Sequence, residues 1–110
     1  GGDRDKSKRS LMAQVACDLS SQVIITSDNP RSEDPDDIID DMISELDTIQ
    51  KKKVLVVTDR TQAIMAAGRL ASKNDIILVA GKGHEKFQEI KGSKFPFNDI
   101  EELKKSLNII

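Results

Sequence analysis

Three short, unbroken apolar runs constrain this chain more than any other feature: Val23-Ile24-Ile25, Val54-Leu55-Val56-Val57 and Ile76-Ile77-Leu78-Val79. None alternates apolar with polar residues, so none reads as a strand with one wet face. Continuous β-branched runs mark strands covered on both faces, as in a parallel sheet. The segments between them read as helices. Leu11, Met12, Val15, Ala16 and Leu19 fall on one helical face, and so do Ile38, Ile39, Met42, Ile43, Leu46 and Ile49. The second helix carries its own start signal. Asp34 suits the cap, Pro35 the first helical position, and Asp36 and Asp37 the positive end of the dipole. Asp59 is placed to cap a third helix running through Ile64 and Leu70. Asn98 opens a fourth, with Glu101 set for a capping box. Phe87–Phe97, with Gly92-Ser93 in its middle, reads as a hairpin.

Helices alternating with buried strands imply right-handed βαβ units. The expected fold class is therefore α/β, a three-layer αβα sandwich around a Rossmann-like, mostly parallel sheet. With 110 residues the chain is expected to be one domain, 1–110. A chain of this size buries roughly two-thirds of its unfolded surface and can hold a core without disulfide or metal. Gly1-Gly2-Asp3 reads as a loop entering the first helix. Such a loop normally leaves a strand, so the expectation is a domain fragment cut just after its first strand.

Composition narrows the function. Net charge is -2, from 17 basic and 19 acidic residues, with no Trp or Tyr and three Phe. A nucleic-acid surface wants a basic excess or stacking aromatics, and neither is present. The apolar runs are far too short to cross a membrane. Cys17 is the single cysteine, on an apolar helix face, which favours core packing over nucleophilic chemistry and suits a reducing compartment.

Ligands of open α/β sheets bind beyond the carboxyl ends of the strands. The loops on that edge are Gly1–Lys8, Ser27–Asp34, Thr58-Asp59-Arg60 and Gly81–Glu85. The first opens with two glycines and is dense in charge. It suits an anion at a helix N-terminus, or equally a solvated terminus. In the second, Asn29 and Pro30 are ordinary turn formers, and Arg31 taken alone is as easily a surface charge. In the third of interest, Gly81-Lys82-Gly83-His84-Glu85, the glycines allow a ligand close to the backbone. It does not satisfy G-x-x-x-x-G-K-[ST], because its glycines are too close and no Ser or Thr follows the lysine. His84 is the only histidine. One His without Cys or a second His makes no metal site, and it makes no catalytic triad with scattered serines.

Together, Gly1-Gly2-Asp3-Arg4-Asp5, Asp28-Asn29-Pro30-Arg31 and Gly81-Lys82-Gly83-His84-Glu85, in this order, resemble the C-terminal domain of the Mur ligases. The likeness is to the branch (MurE) that adds meso-diaminopimelate to UDP-N-acetylmuramoyl-L-alanyl-D-glutamate in peptidoglycan synthesis. It covers nearly the whole chain. Asp28–Arg31 is the most specific part, since lysine-adding relatives usually lack the arginine. The resemblance implies a bacterial cytoplasmic, ATP-dependent ligase. A D-glutamate γ-carboxylate is phosphorylated and an amine of diaminopimelate attacks the acyl phosphate. ATP and Mg2+ are held mainly by a central domain, and the UDP-N-acetylmuramoyl-dipeptide by further domains, none of them in this stretch. No catalytic residue is expected here, and the stretch alone should be inactive.

The resemblance also implies roles. Arg4, Asn29 and Arg31 would hold the carboxylate end of diaminopimelate, the guanidinium through two parallel hydrogen bonds. Glu85 and the Gly81 carbonyl would receive its distal ammonium. Asp28 would orient the loop, and Pro30 would fix the direction in which Arg31 leaves the backbone. Asp3 and Lys6 would touch the nucleotide. The competing readings are a ligase for another amino acid, a free-standing nucleotide-binding domain, and a non-enzymatic receiver-like module with Asp28 or Asp59 as phosphoacceptor.

Overall fold

The computed structural model describes residues 1–108. Its elements run α1 (Arg9–Leu19), β1 (Val23–Ile25), α2 (Pro35–Ile43), α3 (Thr48–Lys51), β2 (Val54–Val56), α4 (Arg60–Leu70), β3 (Phe87–Ile90), β4 (Ser93–Pro96) and α5 (Asp99–Ser106). β1 and β2 pair in parallel, Val23 opposite Val54 and Ile25 opposite Val56. Helix α1 packs on α2 and α3, α4 packs on α5, and β1 touches both α1 and α4. Helices thus flank β1, whereas Leu55 and Val56 of β2 are 40% and 43% exposed and not covered on both faces as their run implied.

The predicted N-caps form, though Glu101 does not complete the capping box expected at Asn98. Asp34 accepts from the Asp36 amide, Asp59 from Gln62, and Asn98 from Ile100 and Glu101. The hairpin forms as well, with Ile90 opposite Ser93 across the two-residue turn Lys91-Gly92. Both turn residues take positive φ, 49° and 79°, the conformation that matches the twist of a tight hairpin.

Three further local expectations fail. The second helix was expected to run through Leu46 and Ile49, but α2 stops at Ile43. Asp47 starts α3 with a capping box, its carboxylate accepting from the Gln50 amide while the Gln50 side chain accepts from the Asp47 amide. Leu46 stays in the core and Ile49 faces solvent. The run Ile76–Val79 joins no ladder among the described residues. Its exposure still alternates, Ile76 and Leu78 outward and Ile77 and Val79 half-buried. A strand exists only with a partner for its amides and carbonyls, and no described segment supplies one.

The third correction concerns α1. Leu11, Met12, Val15 and Leu19, expected to face the core, are all exposed, and the helix buries Arg9, Ala13 and Cys17 instead. The rotation of the helix follows from Arg9. Its guanidinium pairs with Asp41 at 2.8 Å and with Glu33 at 2.9 Å, which turns the small-residue face inward. Ala13 and Cys17 then meet Val23, Ile25, Ile39 and Leu46 in the central cluster. Burial pushes the Cys17 thiol pKa up, so it stays a protonated, inert core residue.

Candidate functional site

The carboxyl ends of the strands are drawn together by hydrogen bonds between loops. The Ser27 amide donates to the Thr58 carbonyl at 3.1 Å, and the Gly2 amide donates to the Asn29 carbonyl at 2.9 Å. A Cβ on Gly2 would fall on the Pro30 carbonyl oxygen, so only glycine allows this approach. Lys82 of the glycine loop ion-pairs with Asp28 at 2.8 Å and donates to the Asn29 carboxamide oxygen at 3.2 Å. All the loops selected from the sequence therefore share one edge.

The turn that carries Arg31 is strained and tightly determined. Asn29 (φ 29°) and Arg31 (φ 53°) flank the fully buried Pro30 in the left-handed region. Such residues cost on the order of 1–3 kcal/mol each and persist only where their surroundings over-determine them. Here the Arg31 amide donates to the Glu89 carbonyl, and the Lys91 amide donates to the Arg31 carbonyl at 2.7 Å. The hairpin thus grips the turn from outside. The Arg31 guanidinium donates to the Gly2 carbonyl at 2.9 Å, and its Nε lies 3.5 Å from Glu89. Beside this turn a cleft of about 330 Å³ is lined by Ser27, Pro30, Thr58, Arg60 and Gln88. A larger hollow of about 420 Å³ lies between the end of α4 and α5, away from every loop discussed, and belongs to helix packing.

The other expected residues divide by surroundings. Arg4 and His84 are exposed, Glu85 half-buried. Gly81 adopts φ 111°, and a Cβ there would meet the Asp28 carboxylate at 3.3 Å. The Asn29 carboxamide oxygen is occupied by Lys82 and by the Glu89 amide at 2.9 Å. Two donors facing it fix the amide orientation. Asp3 accepts from the Ser32 amide and hydroxyl, so its carboxylate shapes the loop. Lys6 is exposed, 3.6 Å from Glu33. Among the described residues no group of three His, Cys, Asp or Glu could hold a metal ion.

Three contributors escaped the sequence reading. Arg60 is almost wholly buried and forks onto Asp99, Nε to Oδ1 at 2.8 Å and the terminal nitrogen to Oδ2 at 2.7 Å. It also donates to the carbonyls of Ser27 (3.3 Å) and Ala80 (3.1 Å), joining the loops after β1 and before Gly81. A signal existed: a cation at the first position of a helix is unfavourable toward the dipole and wants a specific partner. Glu89 and Glu33 gave none, because nothing in their sequence context separates them from surface carboxylates.

Glu33 joins α1 to the Arg31 turn. Its carboxylate accepts from Arg9 and from the Asp3 amide, and these bonds lower its pKa from 4.5 to about 2. The folded value lies below the unfolded one. The link is therefore present above about pH 4.5 and is lost as pH falls through about 2. An NMR titration should find the Glu33 side-chain midpoint near pH 2. A midpoint at the ordinary carboxylate value would mean that the Arg9 bond is not held in solution.

A family model for the "Mur ligase, glutamate ligase domain" matches residues 1–83. The chain belongs to the Mur ligase family. This Mur ligase domain is 61% identical, over 94% of its length, to the UDP-N-acetylmuramoyl-L-alanyl-D-glutamate--2,6-diaminopimelate ligase of Parabacteroides distasonis, covering 21% of that protein. It is 57% identical over 99% of its length to the ligase of the same name from Bacteroides fragilis, and 45% identical over 97% to that of Aquifex aeolicus, covering 22% of each. A solved structure of a ligase of that name superposes with a TM-score of 0.92 at 44% identity, over 98% of this chain and 22% of that one. The Mur ligase domain thus spans about a fifth of the length of the curated relatives it matches, and its α/β fold is theirs.

Proposed function

We propose that this domain is the amino-acid-binding, C-terminal part of an ATP-dependent ligase that joins meso-diaminopimelate to UDP-N-acetylmuramoyl-L-alanyl-D-glutamate. The observation that carries the reading is the joining of two loops. Asp28–Arg31 and Gly81–Glu85 meet through Lys82, so an arginine fork and a carboxylate stand on adjoining loops of one edge. The ligand has matching ends: a distal carboxylate, absent from lysine, beside a distal ammonium. Arg31 takes the carboxylate through two parallel bonds, and Arg4 and the NH2 edge of Asn29 assist. Glu85 and the Gly81 carbonyl take the ammonium. Asp28 and Pro30 hold the loop in shape. The names of relatives 45–61% identical agree with this substrate.

The chemistry of activation belongs to other parts of the ligase. ATP supplies the phosphoryl group for the acyl phosphate, and Mg2+ is bound outside this domain. Lys6, exposed at the surface, would touch the nucleotide, and Asp3 would support that contact by shaping its loop through Ser32. The domain presents the amine and closes over the ATP. No helix among the described residues is long and apolar enough to cross a membrane, and ATP and UDP-linked substrates fit a bacterial cytoplasmic enzyme. Family membership sets aside the receiver-like reading.

The test is phosphate release by the complete ligase with ATP, Mg2+ and the UDP-dipeptide. Release should depend on meso-diaminopimelate and be much slower with L-lysine. Equal rates with the two amino acids would overturn the substrate assignment.

A further inference from the structure

The Lys82 side chain has no solvent exposure. Lysines are almost never buried so completely without a partner, because an ammonium removed from water loses several kcal/mol of hydration. Glycines on both sides, at φ 111° and 59°, let the loop fold so that this one side chain turns inward. There the ammonium finds two hydrogen-bond acceptors, Asn29 Oδ1 at 3.2 Å and the Phe87 carbonyl, and an ionic partner, Asp28 Oδ1 at 2.8 Å. The contact with Asp28 is ionic in character, since that oxygen has no aligned hydrogen bond. The ring of Phe97 lies 5.9 Å from the ammonium.

The acceptors come from two elements, the turn and the hairpin, which main-chain bonds at Arg31 also join. Asp28 and Asn29 begin the turn that carries Arg31, and Phe87 begins the hairpin. The lysine itself sits in the loop that carries Glu85, whose amide donates to the Lys82 carbonyl at 3.1 Å. Asn29 passes the link onward, because the same oxygen accepts from the Glu89 amide, and Glu89 in turn holds Arg31 through its carbonyl and carboxylate. A buried ion pair adds little net stability relative to apolar residues, so its role here is geometric.

We propose that Lys82 is a positioning residue for the amino-acid site, a buried clamp that sets Arg31 and Glu85 at the separation their ligand requires. This rests on the functional reading above and deepens it. Lys82 does not touch the ligand; it acts through the two loops it joins.

The experiment uses Lys82→Met in the complete ligase, which keeps most of the volume and removes the donors. KM for meso-diaminopimelate should rise about tenfold or more, while KM for ATP and for the UDP-dipeptide stay within about twofold. A merely structural loss would lower the active fraction and leave all three KM values alone, and that result overturns the proposal. Stranding Asp28 could unfold the variant, so Lys82→Met with Asp28→Leu is made as well. Removing both charges should restore folding but not the diaminopimelate KM, and recovery of both together overturns the clamp. Amide hydrogen exchange needs no activity. In Lys82→Met the Arg31, Glu85 and Glu89 amides should exchange faster while those of α1 do not; unchanged exchange at all three overturns the clamp. A wild-type ligase that ignores diaminopimelate would instead refute the functional reading, with the exchange result still deciding the clamp.

Discussion

In the complete ligase, Arg31→Ala is expected to lower kcat/KM for meso-diaminopimelate roughly 30- to 5000-fold. The range comes from losing the proposed charge-assisted pair at the half-buried Arg31, on the order of 2–5 kcal/mol, at about 1.36 kcal/mol per tenfold. The ligand's distal carboxylate is then left without its partner. KM for ATP and for the UDP-dipeptide should barely change, because those ligands are proposed to be held mainly elsewhere. Activity with L-lysine, which has no distal carboxylate, should fall much less, so the ratio between the two substrates narrows. Arg31 also bonds the Gly2 carbonyl and approaches Glu89, so a general loosening of the edge is the rival explanation. The ratio separates them: loosening lowers both activities alike. Steady-state kinetics with both amino acids at saturating ATP decide, and an unchanged ratio removes Arg31 as the specificity residue.

The second large effect concerns stability. Arg60→Ala should destabilise the fold by about 3–5 kcal/mol, the usual consequence of leaving one member of a buried ion pair behind. Both side chains are nearly sealed, 3% and 6% exposed, so solvent screens the pair little. The substitution strands the Asp99 carboxylate and also leaves the Ser27 and Ala80 carbonyls short of a donor. Against a typical domain stability of about 5–15 kcal/mol, this is a large fraction of the whole. Urea unfolding gives the number. Arg60→Ala combined with Asp99→Leu should recover part of the loss, since no uncompensated charge remains. A single-variant loss below about 1 kcal/mol would show that the fork is not formed in solution.

Much of this domain could be read without coordinates because the information is local. Asp34-Pro35 starts a helix through the side-chain oxygen and the fixed φ of its own two residues, and Asp59 and Asn98 act in the same way. Val23–Ile25 and Val54–Val56 declare a parallel pair, though only the first is buried, and the edge rule then selects the loop on which Arg31 sits. Each of these inferences needs only a period, a cap or a direction along the chain.

Only the tertiary structure could decide what depends on partners distant in sequence. Leu11, Met12, Val15 and Leu19 form a respectable apolar stripe, yet α1 is rolled away from it by Arg9, whose acidic partners lie on another helix and loop. Ile76–Val79 has strand chemistry but no ladder, since pairing is a property of two segments and never of one. Lys82 stands between two glycines in a loop, with nothing local to mark it for burial, and is a buried clamp because Asp28, Asn29 and Phe87 converge on it from elsewhere in the chain. Local propensity and periodicity are written residue by residue. The rotation of a helix, the pairing of a strand and the burial of a charge are set by which distant groups arrive beside it.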